Sequence, residues 1–580
     1  MTRDRPVRIA NCSGFFGDRL SAAKEMVEGG DIDALTGDWL AELTMLILHK
    51  QQARNSDLGY ASTFLTQMEQ VLGTCVERGI KIVSNAGGLN PAGCADKVRQ
   101  IADRLGIAVN VAHIEGDDLM SHIEGLRPQL TNLDTGEPFT AAPVSANAYL
   151  GCWGIAAALD SGADVVVCPR VTDASVVVGP AAWWWGWAHD DWDVLAGAVV
   201  AGHVVECGAQ TTGGNYSFFE QISDLMRPPG FPLAEIDRDG ACVVTKHPGT
   251  GGLVSVGTVT AQLLYEIGDP HYLNPDVVTD FGSIRLHDDG PDRVRISDVR
   301  GSPAPSTTKV CINYDGGYRN RMTFVLTGLN QQQKAVWAES ALLTRLGGKE
   351  RFDEVDARFV AAPPDAGSQE ASSGRLHVTV KSSDERLVGR AFSSAAVELA
   401  LANYPGFFVS SQPTDAQPFG VYWPALVAND EVHQVVVLAD GRRLAIESSP
   451  ASTVEPIMPV SAPIAAGAHG PQPGEALGLY FGARSGDKGG NANVGIWATD
   501  AGGFAWLTAN LTADAVRALI PEAVGLEVRR YELPNLLALN FVIVGYLGQG
   551  VASSTAFDAQ AKGLGEYLRS RPWPPSPQGV

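Results

Sequence analysis

Short apolar runs, each closed by glycine or a polar turn and followed by a stretch with helical spacing, recur through the first third of the chain. Val7-Arg-Ile-Ala-Asn11 breaks into Cys12-Ser-Gly-Phe-Phe-Gly-Asp-Arg19, and Ser21 to Glu28 then reads as a helix. Ile32 to Trp39 is a second strand, with Leu40, Leu43, Ile47 and Leu48 at helical spacing after it. Ile80-Lys-Ile-Val-Ser-Asn-Ala-Gly-Gly-Leu-Asn-Pro91 follows a helical stretch from Thr63 to Glu77, and Ala108 to Glu115 precedes Gly116-Asp-Asp118. Ser145 to Ser161 reads as a helix leading into Asp164-Val-Val-Val-Cys-Pro-Arg-Val-Thr-Asp-Ala-Ser175. The unbroken valine run is the signature of a strand covered on both faces, and Pro169 ends it. Five such units in succession predict an α/β fold, a mainly parallel open sheet with helices on both faces.

In a parallel sheet the C-terminal strand ends meet along one edge, where open α/β folds bind their ligands. Asp18 and Arg19, Thr36 and Asp38, Asn85 and Asn90, Asp117 and Asp118, and Arg170, Thr172 and Asp173 all stand just past predicted strand ends. Thr36, Asp38 and Asp173 equally suit helix caps or turns, and Asp18 with Arg19 equally suits an ion pair that fixes the loop. The recurrence carries more than any one member. It predicts a polar cleft, with Asp38 and Asp173 as candidate bases, Arg170 for a phosphate or carboxylate, and backbone N–H donors at Gly87 and Gly88.

After residue 175 the grammar changes. Ala181-Ala-Trp-Trp-Trp-Gly-Trp187 with Trp192 suits core packing, an apolar pocket or an oligomer interface. Gln210-Thr-Thr-Gly-Gly-Asn215 is a run of small hydrogen-bonding residues, of which Thr212, Gly213, Gly214 and Asn215 suit close approach by a ligand. Lys246-His-Pro-Gly-Thr-Gly-Gly252 matches neither phosphate-binding glycine motif, so nucleotide binding is not supported and no cofactor is expected. His247 within it is a candidate general acid or base. Alternation and turns from 256 to 330 predict antiparallel strands, either added to the first sheet or forming a subdomain that extends to about 450. Pro456 to Gly474 has linker composition, dividing a core of residues 1–455 from a C-terminal domain of residues 475–580 with the order of an α+β sandwich. In it, Gly486-Asp-Lys-Gly-Gly-Asn491 is either a plain hairpin or a turn whose Lys488 and backbone amides bind phosphate or reach into a neighbouring subunit's cleft.

At 580 residues the chain exceeds one core, and a net charge of −22 opposes nucleic-acid or anionic-membrane partners. There is no signal-like N-terminal segment and no apolar run of membrane length, so a cytoplasmic protein with no membrane partner is expected. The eight cysteines lack a C-x-x-C pair and H-E-x-x-H is absent, so neither a disulfide frame nor a structural metal is expected. The large apolar and aromatic content predicts self-association into a homo-oligomer.

The segments Gly14-Phe-Phe-Gly-Asp-Arg19, Thr36-Gly-Asp-Trp39, Ser84-Asn-Ala-Gly-Gly-Leu-Asn-Pro91, Val167-Cys-Pro-Arg-Val-Thr-Asp173 and Thr211-Thr-Gly-Gly-Asn-Tyr216 resemble the acyclic terpene utilisation AtuA family, formerly a domain of unknown function. Arg484-Ser-Gly-Asp-Lys-Gly-Gly-Asn-Ala-Asn493 resembles its C-terminal ferredoxin-like domain. The resemblance implies a place in the degradation of branched acyclic terpenes as CoA thioesters, and hence an acyl-CoA substrate. A hydratase or carbon–carbon lyase is the leading expectation, since both need a base near the acyl α- or β-carbon and donors for the thioester oxygen. A cysteine or serine hydrolase lacks G-x-S-x-G and a recognisable partner histidine. An accessory subunit of an acyl-CoA carboxylase is the non-enzyme alternative.

Overall fold

The structure, a computed structural model, describes residues 4–410, 412–452 and 467–574. The segment read as a linker lies largely outside the described residues, which resume at 467. The chain divides into two compact units. One comprises Met1–Asn313, Trp423–Val551 and Asp558–Val580, and the other Tyr314–Tyr422 with Ala552–Phe557.

In the larger unit the first strands are β1 (Val7–Asn11), β2 (Ala34–Gly37), β3 (Lys81–Ser84), β4 (Val111–Glu115), β5 (Pro143–Ala148), β6 (Val165–Val167), β7 (Pro232–Ile236) and β8 (Cys242–Lys246). β1, β2, β3, β6 and β4 lie side by side in that order, all parallel. β6 sits between β3 and β4, which explains its all-valine, fully buried sequence. Helices Ala22–Gly29, Ser62–Arg78 and Pro91–Leu105 pack together over one face of these strands, while Ser175–Trp185 and Trp192–Val205 pack together on the other.

The sheet as a whole is mixed, which corrects the expectation of a mainly parallel one. β7, β8, Arg293–Ser297 and Arg285–Asp288 extend it past β1, and Val435–Val437 and Arg443–Ala445 extend it past β4, every added pair being antiparallel. The reason is connection length: β7 reaches β8 through five residues, enough for a hairpin and too few for a parallel crossover. The helix expected over Ser145–Ser161 is instead β5 followed by the helix Trp153–Asp160. Ser145 and Asn147 are buried, Ser145 Oγ accepting from Asn313 Nδ2 at 3.1 Å and Asn147 Nδ2 donating to Asp117 at 2.8 Å.

The C-terminal part of this unit is a four-stranded antiparallel sheet in the order Phe481–Lys488, Asn491–Ala498, Ala538–Ile543, Val528–Leu533. Its apolar face packs on helices Ala501–Asn510, Ala513–Leu519 and Leu564–Ser570. The other face lies against residues 264–268. A Cβ on Gly495 would stand 2.4 Å from Leu264 Cβ, and one on Gly486 2.5 Å from the Tyr265 ring, so glycine permits the close approach. Asn493 Oδ1 accepts from Glu266 N at 2.8 Å, and Asn540 Nδ2 donates to Gly268 O at 2.7 Å.

The smaller unit is built on Tyr318–Thr327 paired antiparallel with Ser373–Ser382, which pairs in turn with Glu354–Val360. Helices Gln331–Arg345 and Phe392–Glu398 contribute to one apolar core with that sheet.

Candidate functional site

The polar turns after β1, β2 and β6 do meet. Asp38 accepts from Leu40 N at 3.1 Å and from Asn85 Nδ2, while Asn85 Oδ1 takes the Trp39 N–H at 2.8 Å. Asn85, buried after β3, thereby fixes the turn that carries Asp38. Arg170 is 3% exposed; its Nη1 donates to Leu40 O at 2.8 Å and stands 3.3 Å from Asp173 Oδ1, with the guanidinium 4.4 Å over the Tyr149 ring. Beneath it Asp117 accepts from Arg170 N at 3.3 Å.

These groups form one wall of a cavity of about 490 Å³. A second wall comes from the end of the helix Trp192–Val205, where His203 Nδ1 lies 3.1 Å from Glu206 Oε1. The C-terminal domain supplies the third, with Asp487, Lys488 and Lys562 meeting Tyr265, Glu266 and Tyr272. Lys488 therefore reaches into the cleft of its own chain. Glu42 and Lys309 complete the lining, and the Tyr149 hydroxyl donates to Glu42 at 3.3 Å.

The electrostatics are those of charges removed from water. Asp38 is pushed well above the carboxylate range by burial and then by the charge of Asp173, against the opposing pull of Arg170. Burial raises Asp173 too, with Arg170 opposing, and raises Glu206 strongly with Asp173 adding to it. Burial lowers His203 to about 4, and burial with Lys309 lowers Lys488 to about 8. Glu42 is the exception: burial works against its charge, but Lys309 and Arg170 outweigh it and hold the group below the usual value. Asp173 Oδ1, Glu206 Oε2 and His203 Nε2 are buried without a hydrogen-bond partner. Buried polar atoms are rarely left so, and at functional sites they mark where something binds. Among the described residues no cluster of His, Cys, Asp and Glu is arranged to hold a metal ion.

Of the residues expected from sequence, Asp18, Asp38, Arg170, Asp173, Gly214, Asn215 and Lys488 line this cavity. Several others do not, and each is occupied elsewhere. His247 Nε2 lies 2.9 Å from Met26 O and its ring packs on Gly29 and Gly30. Arg19 pairs with Glu25 at 2.7 Å and not with Asp18, whose carboxylate accepts the Gly14 N–H at 2.8 Å. Thr172 Oγ1 meets Ser175 Oγ at 2.5 Å, and Thr212 Oγ1 donates to Gly230 O at 2.5 Å. The backbone amides expected to face a ligand are spent within the fold: Gly87 N on Cys168 O, Gly88 N on Asn85 O, Gly213 N on Gln210 O and Gly214 N on Ala209 O. The tryptophan cluster belongs to a separate cavity, where Trp183 and Trp187 stand with Trp153 and His189.

Sequence reasoning missed Glu42, His203, Glu206, Glu266 and Lys309. One signal was available: the helix Trp192–Val205 is apolar on every side yet ends in a histidine and, three residues on, a glutamate. An acid and an imidazole carried into a core need each other or a ligand.

The sequence profile of the acyclic terpene utilisation family protein AtuA matches residues 7–438 of this chain. The chain belongs to this family. The AtuA ferredoxin-like domain matches residues 480–573, the segment of the antiparallel sheet that carries Lys488. No curated protein and no solved structure matches the chain. Among the described residues no helix is long and apolar enough to cross a membrane.

Proposed function

We propose that the cavity is an acid–base active site and that this AtuA-family chain is a lyase, a hydratase or carbon–carbon lyase, acting on a branched acyl-CoA. The carrying observation is the set of three carboxyl groups, Asp38, Asp173 and Glu206, raised by burial around a buried arginine in one cavity. Burial and then the charge of Asp173 raise Asp38 well above the carboxylate range, the direction a proton donor needs. Asp173, with 31% of its side chain exposed and one oxygen without a hydrogen bond, is the base. Lys309 supplies positive charge for a thioester or enolate oxygen. In hydration Asp173 takes a proton from water as it attacks the β-carbon, and Asp38 protonates the α-carbon.

The second reading, an accessory subunit for an acyl-CoA carboxylase or other pathway enzyme, draws support from the smaller unit. It exposes Leu329 at 74%, Trp337 at 50% and Leu401 entirely, surface of the kind that partners cover.

Native mass spectrometry of the full chain with saturated, α,β-unsaturated and 3-hydroxy branched acyl-CoAs decides between them. A ligand whose mass changes by one water identifies a hydratase, and scission identifies a carbon–carbon lyase. Stable binding without change favours the accessory role, and no binding removes the CoA premise.

A further inference from the structure

The cations of the cavity differ in how they are held. Arg170 is engaged by Asp173 and the Leu40 carbonyl, and Lys562 reaches Glu266 at 3.2 Å and Asp487 at 3.5 Å. Lys488 has no carboxylate at ion-pairing distance among the described residues. Its Nζ donates to the Glu266 main-chain oxygen at 2.9 Å and stands 5.8 Å from the centroid of the Tyr272 ring. The side chain is half-buried and lines the cavity. Gly268 lies along its stem, where a Cβ would stand 3.7 Å from Lys488 Cε. The titratable groups that act on it are Lys309, Glu42, Glu206 and Glu266. A lysine removed from water beside a second cation gives up its proton more readily than one in an ion pair, and the free amine is the nucleophilic form. Glu206, in the same cavity, has an oxygen with no hydrogen-bond partner, and burial raises it well above the usual carboxylate value.

We infer that Lys488 is an amine nucleophile that forms a Schiff base with a ketone or aldehyde carbonyl of the substrate, with Glu206 as the acid that releases the carbonyl oxygen as water. The inference rests on the cavity being the acid–base site proposed above. The neutral amine adds to the carbonyl carbon and passes one of its two protons to the oxygen, and Glu206 then protonates that hydroxyl, which leaves as water. The balance is amine, carbonyl and Glu206 carboxylic acid to protonated imine, water and Glu206 carboxylate. A thioester carbonyl does not follow this course, so the substrate carries a separate keto or aldehyde group. The protonated imine can accept the electron pair of the bond between its α- and β-carbons as the Glu206 carboxylate takes the proton of a β-hydroxyl, giving an enamine and a separate carbonyl fragment, which selects the carbon–carbon lyase over the hydratase.

The test treats the full chain with acetone and sodium borohydride and maps the reduced isopropyl adduct by peptide mass spectrometry. Lys488 is expected to be labelled at least about tenfold faster than the exposed Lys24, and Glu206→Gln to slow that labelling about 100-fold, the scale of a lost general acid. Labelling of Lys488 no faster than Lys24 overturns the inference, as does a Lys488→Arg variant that retains turnover. A mass change of one water on an acyl-CoA with Lys488 unlabelled overturns the Schiff base and leaves the acid–base reading standing. Selective labelling with no acyl-CoA turned over supports the Schiff base and removes the thioester substrate instead.

Discussion

The loop around His247 and the cavity around Arg170 are both polar turns at the ends of buried strands, and both combine a basic group with small hydrogen-bonding residues. In the loop every such group is matched. His247 Nε2 is held at Met26 O, Lys246 Nζ reaches Asp292 at 2.9 Å and Thr250 O at 3.0 Å, and Thr250 Oγ1 donates to His247 O at 2.7 Å. In the cavity Glu206 Oε2 and His203 Nε2 have no hydrogen-bond partner, and Asp173 Oδ1 has only its ion pair with Arg170. A buried polar group with its hydrogen bonds made is structure, while one held by its surroundings and still unmatched is available for chemistry. Residue type does not separate the two regions; the degree to which their polar atoms are satisfied does.

The comparison breaks most visibly at Asp38. Asp38→Asn keeps the oxygen that Asn85 and Leu40 address and removes the proton, so kcat/KM for the substrate found by mass spectrometry should fall about 10²- to 10⁴-fold. Unchanged far-UV circular dichroism would exclude unfolding as the cause, and full activity would mean that the cavity's proton donor lies elsewhere.

Arg170→Met tests whether the cavity wall is held by charge. Removing one partner of a buried pair should cost about 3–5 kcal/mol in urea unfolding of the full chain. A loss within a few tenths of a kcal/mol would show that Asp173 takes up a proton and leaves no uncompensated charge.

Asp117 supplies a pH dependence. Burial raises it to about 7 in the folded chain, although Asn147 and the Arg170 N–H oppose the rise. Unfolded it titrates near 3.9, so between about pH 4 and 7 the folded state holds the extra proton. Its contribution to stability is fully present below the unfolded value and is lost as pH rises through about 7. Unfolding free energies at pH 5 and 8 should differ by about 1–3 kcal/mol more in the wild type than in Asp117→Asn, since each tenfold change in proton affinity is worth about 1.36 kcal/mol. Parallel profiles would remove Asp117 from the pH dependence.

The smallest effect belongs to the matched loop. His247→Ala should lower stability by about 1–2 kcal/mol, the worth of its hydrogen bond and packing, and leave kcat/KM within about twofold. A large loss of activity with stability intact would return His247 to the site.

Much of this architecture is legible in the chain because the cause is local. Strand-turn-helix periodicity shows β1 to β3, and the unbroken valines place β6 inside the sheet. Asp38, Arg170 and Asp173 follow because strand ends in a parallel sheet converge whatever the details of packing. Local reasoning fails where distance in sequence hides contact in space. It assigned a helix to Ser145 and Asn147, whose partners Asn313 and Asp117 lie far along the chain, and it left free the amides of Gly87 and Gly214, which neighbouring carbonyls capture. His203, Glu206, Glu266 and Lys309 meet Asp38 and Lys488 only after the C-terminal sheet has closed on residues 264–268. The sequence by itself thus determined most of the first elements and one wall of the cavity, since those depend on periodicity and on turns, and its motifs carried the resemblance to the family. The tertiary structure alone decided which polar groups stay unmatched and which lysine is left without a carboxylate. Burial and pairing are properties of groups brought together from distant segments, and no short stretch of sequence contains them.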